Sequence, residues 1–341
     1  MDLVQRIKRN RATGVPTFIF GSAGVGKSEM VHQAADGDEV LDVRLAMLDA
    51  VDLRGLPTVK ENGEVEEPLV RWARPTFIPK TGKGILFFDE FNTASVSVQN
   101  AALQLLLDRK CGDHKLGDGW YIVAAGNKSS HKAHVNPLSA PLRNRLSIID
   151  FVPSTEAWTK WAMEKGIHDD VIAFLSFRPT LLTTDPKDEY SAFATPRSWA
   201  RVSKSLQLGF DEQEELESLI GKGSSAEFSA FRSEIKDMPD IDELISGKAD
   251  FTENPKKISI SYAVSMAIAS RITRAEKKWV KANVDRCCDI VSKLSPEIAC
   301  LFYVRSLTSD LSIKSAVCES KSAHNWVKTH EKLLTKYGIK K

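Results

Sequence analysis

"VPTFIFGSAGVGKSEMVHQAA", residues 15–35, is the stretch on which the fold turns. It opens with the apolar run "VPTFIF", reaches Gly21, and continues as a helical pattern through Met30, Val31, Ala34 and Ala35, which predicts strand, loop and helix. The loop, Gly21, Ser22, Ala23, Gly24, Val25, Gly26, Lys27 and Ser28, satisfies the spacing G-x-x-x-x-G-K-[ST] without a mismatch. Glycines let successive backbone N–H groups turn inward toward phosphate oxygens, and the helix N-terminus adds partial positive charge. Lys27 then reaches the outer phosphates, and the Ser28 hydroxyl can ligate magnesium.

Two further runs, "GILFFDEF" (84–91) and "WYIVAAGN" (120–127), have the nearly continuous apolar character of strands buried on both faces. Between them Ala102, Leu103, Leu106 and Leu107 repeat at helical spacing. The alternation over 1–152 predicts an α/β domain, a parallel sheet flanked by helices. After Pro153 the strand signals fade and helical patterns remain, punctuated by Pro179, Pro186, Pro239 and Pro255. We expect a helical segment over 153–210, an acidic connector over 211–255 and a basic helical region over 256–341.

A phosphate loop alone only binds. The end of the second run supplies Asp89 and Glu90: Asp89 would hold the metal directly or through water, and Glu90 would orient the attacking water or accept its proton. Asn127 ends the third run, on the carboxyl edge where ligands meet open parallel sheets. It could hydrogen-bond the γ-phosphate and the water. In "SAFATPRSWARV" (191–202), Thr195 suits a helix cap and Pro196 the first helical position. Arg197 follows in the first turn, where a cation opposes the helix dipole, so a bound anion is the natural partner. "PLSAPLRNRLSIIDF" (137–151) places Arg143 and Arg145 just before an apolar run, with no role evident from spacing alone.

Together these residues resemble an AAA+ ATPase, and within that superfamily the MoxR-like group, whose helix-2-insert architecture is shared with McrB-type, dynein and midasin modules. The resemblance covers about residues 12–205. "GSAGVGKSEM" is similar to its Walker A motif, "GILFFDEFNTASVSVQNAALQLLLD" to its Walker B strand and following helix, "YIVAAGN" to its sensor 1 strand, and "TPRS" to its sensor 2 sequence. "DAVDLRGLP" (49–57) looks like the insert region, and "DRKCGDHKLGDGW" (108–120) falls where the family carries a hairpin before sensor 1.

The resemblance implies ATP and Mg2+ as ligands, a lid over 153–210, and a ring, most often hexameric. It aligns Arg145 with the finger that reaches a neighbour's ATP, and Arg143 could contact the same phosphates or an intersubunit carboxylate. "RNRL" departs from the usual pattern, with Asn144 for Asp and Leu146 for Phe. Members often act as chaperones that activate or assemble a protein client, frequently with a partner carrying a von Willebrand factor A domain.

Composition bounds the alternatives. The 341 residues carry a net charge of +2, no apolar run approaches a membrane span, and "MDLVQRIKRN" lacks the core of a signal peptide, which predicts a cytoplasmic protein without a membrane partner. Five cysteines without a CxxC pair read as buried, reduced thiols. His131 and His134, spaced HxxH, read as part of a solvated loop rather than a metal site. The charge is uneven: residues 211–253 hold thirteen acidic and four basic side chains, net −9, whereas 256–341 hold seventeen basic and seven acidic, net +10. Such stretches can attract each other, another subunit or a polyanion. The basic region, with Trp279, Tyr303 and Trp326, supports a competing reading as a nucleic-acid motor or loader, since bases stack on aromatics. A third reading, a scaffold that binds ATP with little turnover, leaves Glu90, Asn127 and the arginines without a purpose.

Overall fold

The computed structural model describes residues 2–60, 69–128, 136–138, 140–186, 188 and 190–339; His131 and His134 lie outside them. The chain divides into two compact units, Met1–Val152 and Pro153–Lys341.

The first unit is built on five parallel strands: β1 (Thr17–Phe20), β2 (Glu39–Arg44), β5 (Lys83–Asp89), β8 (Gly119–Gly126) and β9 (Ser147–Asp150). They run in the order β2-β5-β8-β1-β9. Every pairing is parallel, with Phe87 opposite Val123 and Thr17 opposite both Val123 and Ser147. Parallel neighbours need long crossovers, and helices α1 (Leu3–Thr13), α2 (Lys27–Ala35) and α4 (Val96–Asp108) cover the faces.

Side-chain alternation sorts the strands between two cores. Leu86, Phe88, Ile122 and Ala124 pack with Val98, Ala102 and Leu105 of α4. Ile85, Phe87, Val123 and Ala125 pack on the other face with Ile7 of α1 and Val31 and Ala34 of α2. This is why both runs read as unbroken apolar sequence. The edge strand β2, "EVLDVR", buries only Val43, and the apolar signal is correspondingly absent.

Smaller elements decorate the sheet. α3 (Ala50–Arg54) opens with a capping box between Asp49 and Asp52. Gly55 follows at φ +86°, where a β-carbon would lie 1.8 Å from the Ala73 carbonyl oxygen, so no other residue fits. β3 (Pro57–Lys60) and β4 (Leu69–Trp72) form an antiparallel pair, as do β6 (Lys110–Cys111) and β7 (His114–Lys115). Gly112, at φ +55°, turns the second pair, where the family resemblance places a hairpin. α5 (Ala140–Arg145) precedes β9.

The second unit is helical: α6 (Thr155–Glu164), α7 (Asp169–Phe177), α8 (Pro196–Gln207), α9 (Gln213–Glu234, kinked at Gly221), α10 (Ile241–Ser246), α11 (Ile258–Thr273), α12 (Lys277–Val291), α13 (Pro296–Thr308), α14 (Leu311–Glu319), α15 (Lys321–Thr329) and α16 (Glu331–Lys336). One hydrophobic core runs through it, drawing on 153–210 (Phe174, Trp199), on 211–255 (Phe228, Phe231) and on 256–341 (Ile268, Phe302). Phe174, Trp199 and Phe228 meet with ring centroids 5.1–5.5 Å apart.

Part of the uneven charge is paired inside this unit. Lys257 pairs with Asp237 at 2.8 Å, Arg271 with Asp242 at 2.8 Å and Arg286 with Asp250 at 3.3 Å, each joining the basic region to the acidic stretch. The aromatic residues of the basic region are occupied as well. Tyr303 and Trp326 are buried and stacked 4.3 Å apart, and the Arg271 guanidinium lies over the Trp279 ring. Base stacking on Tyr303 and Trp326 is therefore unavailable, which leaves the nucleic-acid reading resting on the basic charge and Trp279.

All five cysteines are free; four are buried and Cys318 is exposed. Burial pushes the thiols of Cys287, Cys288 and Cys300 up to about 12, which leaves them protonated and unreactive. Among the described residues no helix is long and apolar enough to cross a membrane.

Candidate nucleotide site

β1 ends at Phe20, and the loop from Gly21 leads directly into α2 at Lys27. Gly24 and Gly26 take φ +73° and +95°, left-handed values that allow the tight turns phosphate loops need. Lys27 is buried on its own loop, and its ammonium donates to the carbonyls of Gly21 and Ser22, both at 2.9 Å. It also donates to Asn127 Oδ1 at 3.0 Å. The first residue of the helix and the last of the "YIVAAGN" run, 100 positions apart, thus meet at one nitrogen.

The neighbouring residue makes the second connection. Ser28 donates its hydroxyl proton to Asp89 Oδ2 at 3.1 Å, and Asp89 Oδ1 accepts from the Glu90 N–H at 2.8 Å. Glu90 stands in the left-handed region at φ +54°, uncommon for a side chain of its size. The Thr93 hydroxyl donates to the Glu90 carbonyl at 2.7 Å and holds that turn. Glu90 itself is exposed at the carboxyl edge of the sheet.

Two residues here were missing from the sequence reading. Asn92, buried beneath this turn, bonds to the backbone of Asn127 through both ends of its carboxamide. Asp42 of β2 lies two residues before Arg44, which pairs in register with Asp89. Asp42 is exposed, yet partial desolvation, then the charge of Asp89, raises its carboxyl above the ordinary range. Neither had a sequence signal of its own: Asn92 is one polar residue inside a helix-leading turn, and Asp42 sits on an unremarked edge strand. At the opposite side of the loop, Lys128 and Asp150 pair at 2.6 Å. Lys128 lies two residues past β8 and Asp150 ends β9, and these strands flank β1, so the pair spans the end of the strand that carries the loop.

Arg143 and Arg145 are exposed on α5 and make no ion pair among the described residues. In the second unit, Thr195 and Ser198 form a capping box with Pro196 at the start of α8, as the sequence implies, and Arg197 is exposed in that first turn. It too has no ionic partner among the described residues.

Residues 16–146 match the family profile described as AAA domain (dynein-related subfamily). No curated protein sequence matches the chain. Solved structures similar to it include a protein from Cytophaga hutchinsonii provisionally described as an ATPase, at 14% identity and a TM-score of 0.33, covering 78% of this chain and 74% of that one. A RuvB variant from Thermotoga maritima aligns at 14% identity and a TM-score of 0.39, covering 78% of each chain. NtrX from Brucella abortus in complex with ADP aligns at 17% identity and a TM-score of 0.39, covering 98% of this chain and 67% of that one. Strand order and phosphate loop make the first unit a parallel P-loop fold, and its residues 16–146 are similar to an AAA domain. A helical region follows it.

Proposed function

We propose that this protein is a magnesium-dependent ATPase of the MoxR-like group, which assembles into a ring, most simply a hexamer, and uses hydrolysis to remodel, activate or assemble a protein client. The observation that carries the reading is the convergence of Lys27, Ser28, Asp89 and Asn127 at one edge of the sheet, joined by hydrogen bonds of 3.0 and 3.1 Å. These groups come from three separate segments, and binding phosphates, holding a metal and orienting water need all of them.

The Ser28 hydroxyl and Asp89 carboxylate are hard oxygen donors already in contact, the donor set that suits magnesium. When bound there, magnesium neutralises charge on the phosphate oxygens. The loop N–H groups of Gly21 through Gly26 cradle the phosphates, and Lys27 pairs with the outer ones. Glu90 takes the proton of the attacking water, and the Asn127 carboxamide fixes that water against the γ-phosphate. Arg197 is the residue that the family resemblance assigns to the bound phosphates as their sensor 2 cation. Arg145, assisted by Arg143, completes the site of an adjacent copy, since a permanently cationic, planar guanidinium matches the charge of the transferring phosphoryl group. Turnover then depends on assembly, and loss of the γ-phosphate breaks contacts between copies. The client is a protein, reached directly or through an adaptor such as one with a von Willebrand factor A domain.

The test is subunit mixing. Glu90→Gln keeps ATP binding and loses turnover by about 10²- to 10⁴-fold. Arg145→Ala does the same by roughly 10³-fold or more. Mixing the two inactive proteins restores part of the activity, because some interfaces pair an intact Glu90 with an intact Arg145. Unchanged turnover in Glu90→Gln removes it as the base, and no recovery among subunits shown to exchange removes the shared site.

A further inference from the structure

Asn92 is only 2% exposed, an unusual place for a carboxamide unless every polar atom is met. Its Nδ2 donates to the Asn127 carbonyl at 2.7 Å, and its Oδ1 accepts from the Asn127 N–H at 2.9 Å. One side chain thus grips both backbone polar groups of a single residue. Its own carbonyl accepts from the Asn136 N–H at 2.8 Å, and the Asn136 side chain donates to the Ala94 carbonyl at 3.1 Å.

The end of β8 is shaped for this grip. A β-carbon on Gly126 would lie 2.6 Å from Asn92 Oδ1 and 2.9 Å from Phe18 Cζ, so only glycine leaves the carboxamide its place. The grip continues into the site, because the Asn127 side chain accepts from Lys27 Nζ at 3.0 Å. Asp89, Glu90 and Asn92 fall on one short turn, so the segment that carries the carboxylates also sets the backbone of the residue facing them.

We propose that Asn92 is a positioning residue: its two-point hold on the Asn127 backbone aims the Asn127 carboxamide at the terminal phosphate and the attacking water, without Asn92 touching either. This rests on the reading of the site as an ATPase. A purely structural Asn92 would act differently, because its loss would loosen the fold and weaken both nucleotides alike. A positioning Asn92 acts on the step that distinguishes ATP from ADP and acts only through Asn127.

The experiment is a double-mutant cycle in the full chain, with Asn92→Ala, Asn127→Ala and the pair, read by kcat, KM and the dissociation constants of ATP and ADP. Asn92→Ala lowers kcat by about 10- to 100-fold and leaves ADP affinity within about 2-fold. In the Asn127→Ala background, the same substitution changes kcat by less than about 2-fold. An equal loss of kcat in both backgrounds, or a parallel loss of ADP affinity, overturns the proposal. If Asn92→Ala does not fold, Asn92→Asp takes its place: it keeps the shape and the acceptor, loses the donor, and lowers kcat in the wild-type background alone.

If the unsubstituted protein binds ATP but does not hydrolyse it, the ATPase reading fails. The positioning role is then judged on the ratio of ATP to ADP affinity, which Asn92→Ala lowers to the value of Asn127→Ala; an unchanged ratio rejects it. Failure to bind either nucleotide rejects both.

Discussion

The carboxyl edge of the sheet and the surface of the helical unit treat polar side chains in opposite ways. At the sheet edge, Lys27, Ser28, Asp89 and Asn127 are gathered from distant segments, and Glu90 is held exposed on a left-handed turn. In the helical unit, charges close on one another: Arg232 sits between Asp170 and Asp211 at 3.1 and 2.9 Å, and Asp237, Asp242 and Asp250 each have a basic partner. A count of charges could not separate these situations. Geometry does, because the sheet edge brings groups from distant segments to one place, whereas the helical surface closes charges on opposite charges.

The contrast is broken most sharply at Lys27. Lys27→Ala removes the buried ammonium from its loop carbonyls and from Asn127, and ATP affinity falls on the order of 100-fold or more. Calorimetric titration checks this, and retained affinity would deny the loop its role. The counterpart in the helical unit is a core residue. Phe228 is fully buried between Phe174 and Trp199, so Phe228→Ala costs about 3–5 kcal/mol, visible in denaturant unfolding. A cost below about 1 kcal/mol would mean that the aromatic cluster is loosely packed.

The smallest effect belongs to the surface pairs. Asp242→Asn breaks the contact with Arg271, whose side chains are 67% and 37% exposed, and solvent screening keeps the cost below about 1 kcal/mol. A larger loss in the same unfolding experiment would show that these pairs do more than neutralise the surface.

How much was legible in the sequence follows the same division. The phosphate loop could be read because its function is a backbone requirement, and glycine spacing records such requirements directly. β5 and β8 could be read because both faces are buried. β2 could not, since an edge strand with one buried side chain leaves no apolar run, and Asp42 went unnoticed with it. Asn92 was illegible for another reason: its partners are the backbone atoms of residue 127, and backbone partners leave no pattern in side-chain sequence. In the helical unit, helix type was evident from spacing. The fate of Tyr303 and Trp326 was not, because an amphipathic aromatic looks the same in a core and on a binding face. The opposed charges of 211–253 and 256–341 were visible as sums, but which lysine or arginine meets which aspartate is a property of helix packing.

The pair Lys128–Asp150 closes over the end of β1 as a tether between its two neighbours. Phe20 pairs with both Gly126 and Asp150, so the strand feeding the phosphate loop lies beneath a tether anchored on its two neighbours. One anchor adjoins Asn127, and the other lies two residues before Val152, where the first unit ends. The pair therefore bridges two strand spacings, about 10 Å, from the residue after Asn127 to the end of β9. The tether weakens as salt rises, because both side chains reach solvent.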